Sequence, residues 1–277
     1  MITYDFDYYE PLKIEEAVEL YNNTKKDGKN PIFFSGGTEI ITLGRLNLVM
    51  PNVVIDIKKI PEFNQFRFDN QYLITGAALR LNEFERNRLF PLLSNVTKEI
   101  ADHTSNNKIT LGGNICGQIF YREAVLPFLL ADSICTTASR TGLRKRNINE
   151  IFNQKLMLDD GELLVSLATK KEDIESKFAS IKIRQQWETG YPLITIAALH
   201  KNGFNRFAFS GVCPFPFRSE AMEKELNNHK LSIQERLAAA LQKIPGPVLD
   251  DIEGSKDYRL FVLKNTLPKI LKDLGGE

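Results

Sequence analysis

The sequence predicts an α+β protein of two domains. Three observations carry that expectation. The first 57 residues alternate helical and strand-like patterns around a glycine loop, the middle is rich in strand candidates, and a charged stretch at Lys170–Lys177 separates them from a third that turns mainly helical. The expected division is 1–170, with subdomains of about 1–57 and 58–170, followed by 171–277.

Each element has its own signal. Ile14, Ala17, Val18 and Tyr21 recur at helical spacing, with Glu15, Glu16 and Glu19 on other faces. Pro11 opens this helix, and Asp27-Gly28-Lys29-Asn30-Pro31 closes it with turn chemistry. Ile32–Phe34 and Val53–Ile57 read as strands on either side of Ser35-Gly36-Gly37-Thr38. Tyr72–Gly76 reads as a strand, Leu81–Arg88 as a short helix capped by Asn82, and Thr104–Lys108 as a loop. Ser133–Arg146 predicts a hairpin about Thr141-Gly142, and Leu163–Ala168 another strand. Three more strands are expected near Ile181–Ile183, Leu193–Leu199 and Arg206–Ser210. The capping box Ser232-Ile233-Gln234-Glu235 then opens a helix bearing Leu237, Ala240, Leu241 and Ile244 on one face. A last helix starts near Ser255 and is expected to kink or break at Pro268.

Composition narrows the class. The 36 basic and 35 acidic residues leave a net charge of +1, which gives no electrostatic case for nucleic acid. The longest apolar run, about Ala124–Ala131, is far short of the roughly 20 residues that cross a bilayer. The acidic N-terminus does not read as a signal peptide. Cys116, Cys135 and Cys213 form no CxxC pair, so a reducing, cytoplasmic setting and no metal or cluster site are expected. Cys116 is expected to be a buried structural thiol. Arg140, Arg144, Lys145 and Arg146 are expected to form the solvated face of a hairpin.

Two glycine loops carry the chemical signal: Ser35-Gly36-Gly37-Thr38, directly after a strand, and Thr110-Leu111-Gly112-Gly113-Asn114. Tandem glycines let backbone N–H groups approach an anion, and flanking hydroxyls add donors. Neither loop has the GxGxxG or GxxxxGK[ST] spacing of Rossmann or P-loop sites.

With their flanks, these loops resemble the FAD-binding (medium) subunits of the xanthine dehydrogenase and carbon monoxide dehydrogenase family of molybdenum hydroxylases. The resemblance runs through Phe34–Ile41, Pro51–Ile57 with Ile60-Pro61-Glu62, and Thr110–Ile115 through Glu123 to Asp132. It continues in Gly161–Leu167, Pro214–Arg218 and Ser255–Arg259. It implies a two-subdomain FAD-binding domain of the vanillyl-alcohol-oxidase type, closed by a domain of small antiparallel sheet plus helices.

Roles follow by the same resemblance. Ser35, Gly36, Gly37 and Thr38 would surround the FAD pyrophosphate, with Glu39 and Ile40 continuing the loop. Thr110, Gly113 and Asn114 would contribute from the second loop. Glu123, where the family usually has Asp, would accept sugar or ribityl hydroxyls. Leu164 would pack near a ring system, Lys182 would lie close to the isoalloxazine, and Tyr191 against it. By its place in the sequence rather than by the resemblance, Trp187, near Lys182 and Tyr191, would either report on flavin binding or pack in the core. The residues Ser105–Lys108 and Ile115–Phe120 depart from the family pattern.

The implied function is an FAD-dependent electron-transfer component without catalytic side chains of its own. Electrons would pass from an iron–sulfur small subunit to NAD+ or another acceptor. A molybdopterin large subunit would oxidise the organic substrate, a purine being the first expectation. Two other readings stay open: a self-sufficient flavin oxidase or reductase, and a flavin-free assembly scaffold.

Overall fold

The computed structural model describes residues 2–185 and 190–275, so Trp187 and the expectation placed on it lie outside the described residues. The chain opens with β1 (Asp7–Tyr9), α1 (Ile14–Lys26), β2 (Pro31–Phe34), α2 (Thr38–Arg45) and β3 (Val53–Asp56). The three strands form a parallel sheet in the order β1-β3-β2. All four residues of β3 are buried, as a central parallel strand requires. Helix α1 buries Ile14, Ala17 and Val18, and carries Glu15 and Glu16 in its first turn and Lys25 and Lys26 in its last, matching the helix dipole.

A 3-10 turn at Pro61–Asn64 leads into β4 (Phe66–Asp69) and β5 (Tyr72–Gly76). Then come α3 (Leu81–Asn87), α4 (Pro91–Lys98), α5 (His103–Asn106) and α6 (Leu111–Cys116). A turn at Glu123–Val125 runs into α7 (Leu126–Leu130), followed by the hairpin β6 (Ile134–Ser139) and β7 (Gly142–Asn147). After α8 (Ile148–Ile151) and the small pair β8 (Phe152–Asn153) and β9 (Lys155–Leu156), β10 (Leu163–Lys170) enters the middle of an antiparallel sheet ordered β4-β5-β10-β6-β7.

The last third holds α9 (Lys171–Ile174) and the antiparallel sheet β11 (Phe178–Arg184), β12 (Pro192–Lys201), β13 (Phe204–Ser210) and β14 (Phe217–Arg218). Helices α10 (Glu220–Leu226), α11 (Ile233–Leu241) and α12 (Lys256–Asp273) complete it. Strand side chains alternate between faces, and here both faces are buried. On β12, Ile194, Ile196 and Ala198 join a core shared with α10, α11 and α12, whereas Ala197 and Leu199 join the core of the preceding residues. On β13, Phe207 and Phe209 point to the helical side and Ala208 to the other. The small side chains let α7 lie directly on this sheet.

Several expectations change. Asn82 does not cap α3: it lies within the helix, and the carboxylate of Glu83 accepts the Arg80 N–H instead. The segment Thr104–Lys108, expected as loop, begins inside a helical turn, His103–Asn106, capped by Asp102, whose side chain accepts from Ser105 N–H at 3.0 Å. Helix α12 continues through Pro268 to Asp273, because Leu263, Leu267, Ile270 and Leu271 on both sides of the proline are buried in the same core. The stretch 170–177 is not simply exposed, since Asp173 and Ile174 are buried. No described helix is long and apolar enough to cross a membrane.

Candidate functional site

Strand β2 delivers the first glycine loop to the amino end of α2. Gly37 is the N-cap residue in the left-handed region, φ 72°, and a Cβ there would stand 2.2 Å from the Phe34 ring. Only glycine satisfies both demands. A Cβ on Gly36 would lie 2.2 Å from the Lys108 carbonyl oxygen and 3.1 Å from Thr110 N. The missing side chain thus lets the two loops touch, although about seventy residues separate them.

Helix α2 has no side-chain cap, and the first N–H of its opening turn donated within the chain is that of Ile41, to Gly37 O at 2.8 Å. Among the described residues, the N–H groups of Thr38, Glu39 and Ile40 therefore remain available at the positive end of the helix dipole. Ser35 Oγ is buried without a hydrogen-bond partner. A buried hydroxyl in that state is costly unless something else completes it. Glu39 turns away from its own helix and accepts the Gln118 N–H at 2.7 Å, tying this loop to the chain after α6.

The second loop plays a different part. Thr110 caps α6, its Oγ1 accepting Gly113 N–H at 3.3 Å. Leu111 and Gly112 donate to Leu79 O and Ala77 O at 2.8 and 2.7 Å. Asn114 Oδ1 accepts Ala124 N–H at 3.1 Å. These donors are engaged internally, so the second glycine pair is a buttress for the first loop rather than an open anion nest.

Glu123 stands at the seam with the C-terminal sheet. Its Oε2 accepts from Lys182 Nζ at 2.8 Å and its Oε1 from Thr195 Oγ1 at 2.5 Å. Lys182 also donates to Glu99 O at 2.6 Å, and both partners of the ion pair are 3% exposed. Burial lowers the proton affinity of Lys182, with the Glu123 charge opposing that shift. Tyr191 is half exposed and stacks on Tyr121, with ring centroids 4.7 Å apart. Burial pushes the Tyr121 phenol up to about 12. Leu164, on β10, is a buried core residue.

Two expectations are refined and one residue is added. Cys116, at the end of α6, is exposed as a residue, while burial of the thiol itself pushes that group up to about 12. Arg144 and Arg146 are not merely solvated: both pair with the buried carboxylate of Glu162. Lys58, which sequence reasoning passed over, reaches the first loop: its Nζ donates to Ser35 O at 3.1 Å and to Asp56 Oδ2 at 2.6 Å, 4.5 Å from the centre of the Phe34 ring.

Free N–H groups at a helix start, an unpartnered buried hydroxyl and a glycine surface without Cβ atoms suit the diphosphate of a dinucleotide. Comparison with known proteins gives the same answer. Residues 4–168 match the family described as the FAD binding domain in molybdopterin dehydrogenase, and the chain belongs to that family. Its cofactor is FAD, and it is the flavin-binding component of an oxidoreductase.

Two relatives cover from 80% to 98% of this chain. The glyceraldehyde dehydrogenase medium chain of Sulfolobus acidocaldarius is 23% identical, over 98% of this chain and 99% of its own. The caffeine dehydrogenase subunit beta of a Pseudomonas strain is 27% identical, over 80% of this chain and 78% of its own. The fold matches that of a carbon monoxide dehydrogenase chain from Hydrogenophaga pseudoflava with a TM-score of 0.88, covering 99% of both chains at 22% identity.

Proposed function

We propose that this chain is the FAD subunit of a xanthine dehydrogenase-like molybdenum hydroxylase, relaying electrons from iron–sulfur clusters to NAD+ or a comparable acceptor. The observation that carries the reading is the first loop, where the unpartnered Ser35 Oγ meets the uncapped start of α2 against the second loop. When bound, FAD would supply the two-electron to one-electron chemistry; the chain's residues hold and orient it.

Ser35, Gly36, Gly37, Thr38, Glu39 and Ile40 would line the pyrophosphate. Thr110, Gly113 and Asn114 would support it from the second loop. Lone pairs left on Glu123 would accept ribityl hydroxyls, Leu164 would pack beneath a ring, and Lys182 and Tyr191 would border the isoalloxazine. In this reading residues 1–170 form the FAD domain and 171–277 the closing domain. The partners would be an iron–sulfur small subunit and a molybdopterin large subunit. Three free cysteines fit the cytoplasmic compartment proposed for the complex.

The test is the visible spectrum of the purified chain, with chromatography of what denaturation releases, followed by anaerobic addition of NADH. Stoichiometric FAD that NADH bleaches within the enzyme's turnover time supports the relay to NAD+. FAD that NADH leaves oxidised would remove NAD+ as the acceptor, and a folded chain that takes up no FAD would remove the flavin assignment.

A further inference from the structure

Lys58 lies outside the glycine motifs, yet it grips the one carbonyl of the first loop whose direction matters. In a trans, planar peptide the C=O and the N–H point to opposite sides. The Ser35 carbonyl and the Gly36 N–H belong to one such peptide. With Ser35 O held by Lys58 Nζ at 3.1 Å, the Gly36 N–H faces away from Lys58, and among the described residues it donates to nothing.

Lys58 is itself fixed. Its ammonium donates to Asp56 Oδ2 at 2.6 Å and its own N–H to Asp56 Oδ1 at 2.9 Å. Asp56 is 2% exposed and also receives the Tyr8 hydroxyl from β1. Burial first, and then the Asp56 carboxylate, raise the proton affinity of the Tyr8 phenol, so it stays a donor throughout the ordinary pH range. The Phe34 ring, which bars any Cβ at Gly37, lies under the ammonium. Strands β1 and β3 thus set the orientation of a peptide at the end of β2.

We propose that Lys58 is a positioning residue of the FAD site: by holding the Ser35 carbonyl back, it presents the Gly36 N–H, beside Ser35 Oγ, to the diphosphate. This rests on the flavin reading above and adds a residue to it. Asp56 neutralises Lys58, so the action is orientation rather than net positive charge. Without the ammonium, the Ser35–Gly36 peptide is free to turn its carbonyl toward the diphosphate, where oxygen would meet oxygen.

The test is FAD titration of the flavin-free full-length chain, read by quenching of flavin fluorescence, with thermal unfolding of the same flavin-free samples. Lys58→Met is expected to raise the FAD dissociation constant about tenfold, the scale of one hydrogen bond to a charged group. Its unfolding midpoint should fall, since the Asp56 carboxylate is left buried without its cation, whereas the double variant Lys58→Met/Asp56→Asn should recover much of the midpoint and still bind FAD about tenfold more weakly. Lys58→Arg should recover most of the affinity. Asp56→Asn should weaken FAD as well, because the ammonium loses its anchor.

Tighter FAD binding by Asp56→Asn would overturn the proposal in favour of simple charge attraction. So would wild-type affinity in Lys58→Met, or a double variant Lys58→Met/Asp56→Asn that regains FAD affinity together with its unfolding midpoint. If Lys58→Met does not fold, Lys58→Arg and Asp56→Asn decide the matter by the same criteria. A wild-type chain that takes up no FAD overturns the flavin reading itself, whereas normal wild-type uptake with an indifferent Lys58 overturns this inference alone.

Discussion

At the scale of single residues, Gly37 is the least replaceable position in the site. Its φ of 72° and the Phe34 ring 2.2 Å from a notional Cβ leave no room for a side chain. Gly37→Asp would add both bulk and negative charge at the start of α2, where the diphosphate is proposed to bind. It is expected to lose FAD during gel filtration, read as the disappearance of flavin absorbance from the protein peak while far-ultraviolet circular dichroism persists. Retention of stoichiometric flavin by this variant would show that the first loop does not hold the cofactor. Ser35 makes the complementary point: its hydroxyl is buried without a partner, and the proposed diphosphate would supply one.

Among elements, the turn at Glu123–Val125 and strand β12 are joined by the Glu123–Lys182–Thr195 cluster. Removing one partner of a buried ion pair leaves the other charge unanswered, which costs about 3–5 kcal/mol. Glu123→Ala is therefore expected to destabilise the chain by about 3 kcal/mol in urea unfolding, and Thr195→Val by only about 1 kcal/mol. Equal, small effects from both would show that the cluster is not a strut. This cluster also marks where reading the sequence stops short. Helix α1 and the Ser232–Glu235 box were legible because period and capping are local signals, and Leu193–Leu199 was legible as an apolar run. The two glycine loops were legible through their flanks. Strand β1 was missed because all three of its residues are exposed, so no alternation betrays it. The grip of Lys58 on Ser35, and of Lys182 and Thr195 on Glu123, joins residues 23, 59 and 72 positions apart. No spacing rule encodes such contacts.

For the molecule as a whole, the seam between the C-terminal sheet and the preceding residues is pinned at a second place by Asp132, which accepts from Arg206 at 2.5 Å and Arg218 at 2.8 Å. Burial pushes the Asp132 carboxyl up, but the two guanidinium groups outweigh it and hold the group below the ordinary range. A carboxylate with a lowered folded-state pKa contributes stability that is fully present above its unfolded value of about 3.9 and is lost as pH falls through the folded value. Asp132→Asn should accordingly cost about 1–2 kcal/mol at pH 7, a discounted figure because Asp132 keeps 34% of its side chain exposed. The wild-type and variant stabilities should converge as pH drops below about 4. Urea unfolding at pH 7 and at successive acid steps checks this, and a gap that persists unchanged into acid would contradict it.

Strand β12 has a consequence for how the protein is made. Its Ala197 and Leu199, with Ala208 of β13, complete the core that begins at Ile14. A ribosome delivers the chain in order, so that core waits for residues near position 208 before its last wall is in place. Until then α7, with every side chain buried in the finished protein, has no sheet to lie on. The nascent chain therefore carries an apolar helix that only α4, α8 and the Glu123–Val125 turn can cover through some eighty residues of synthesis, the interval in which chaperones have most to recognise.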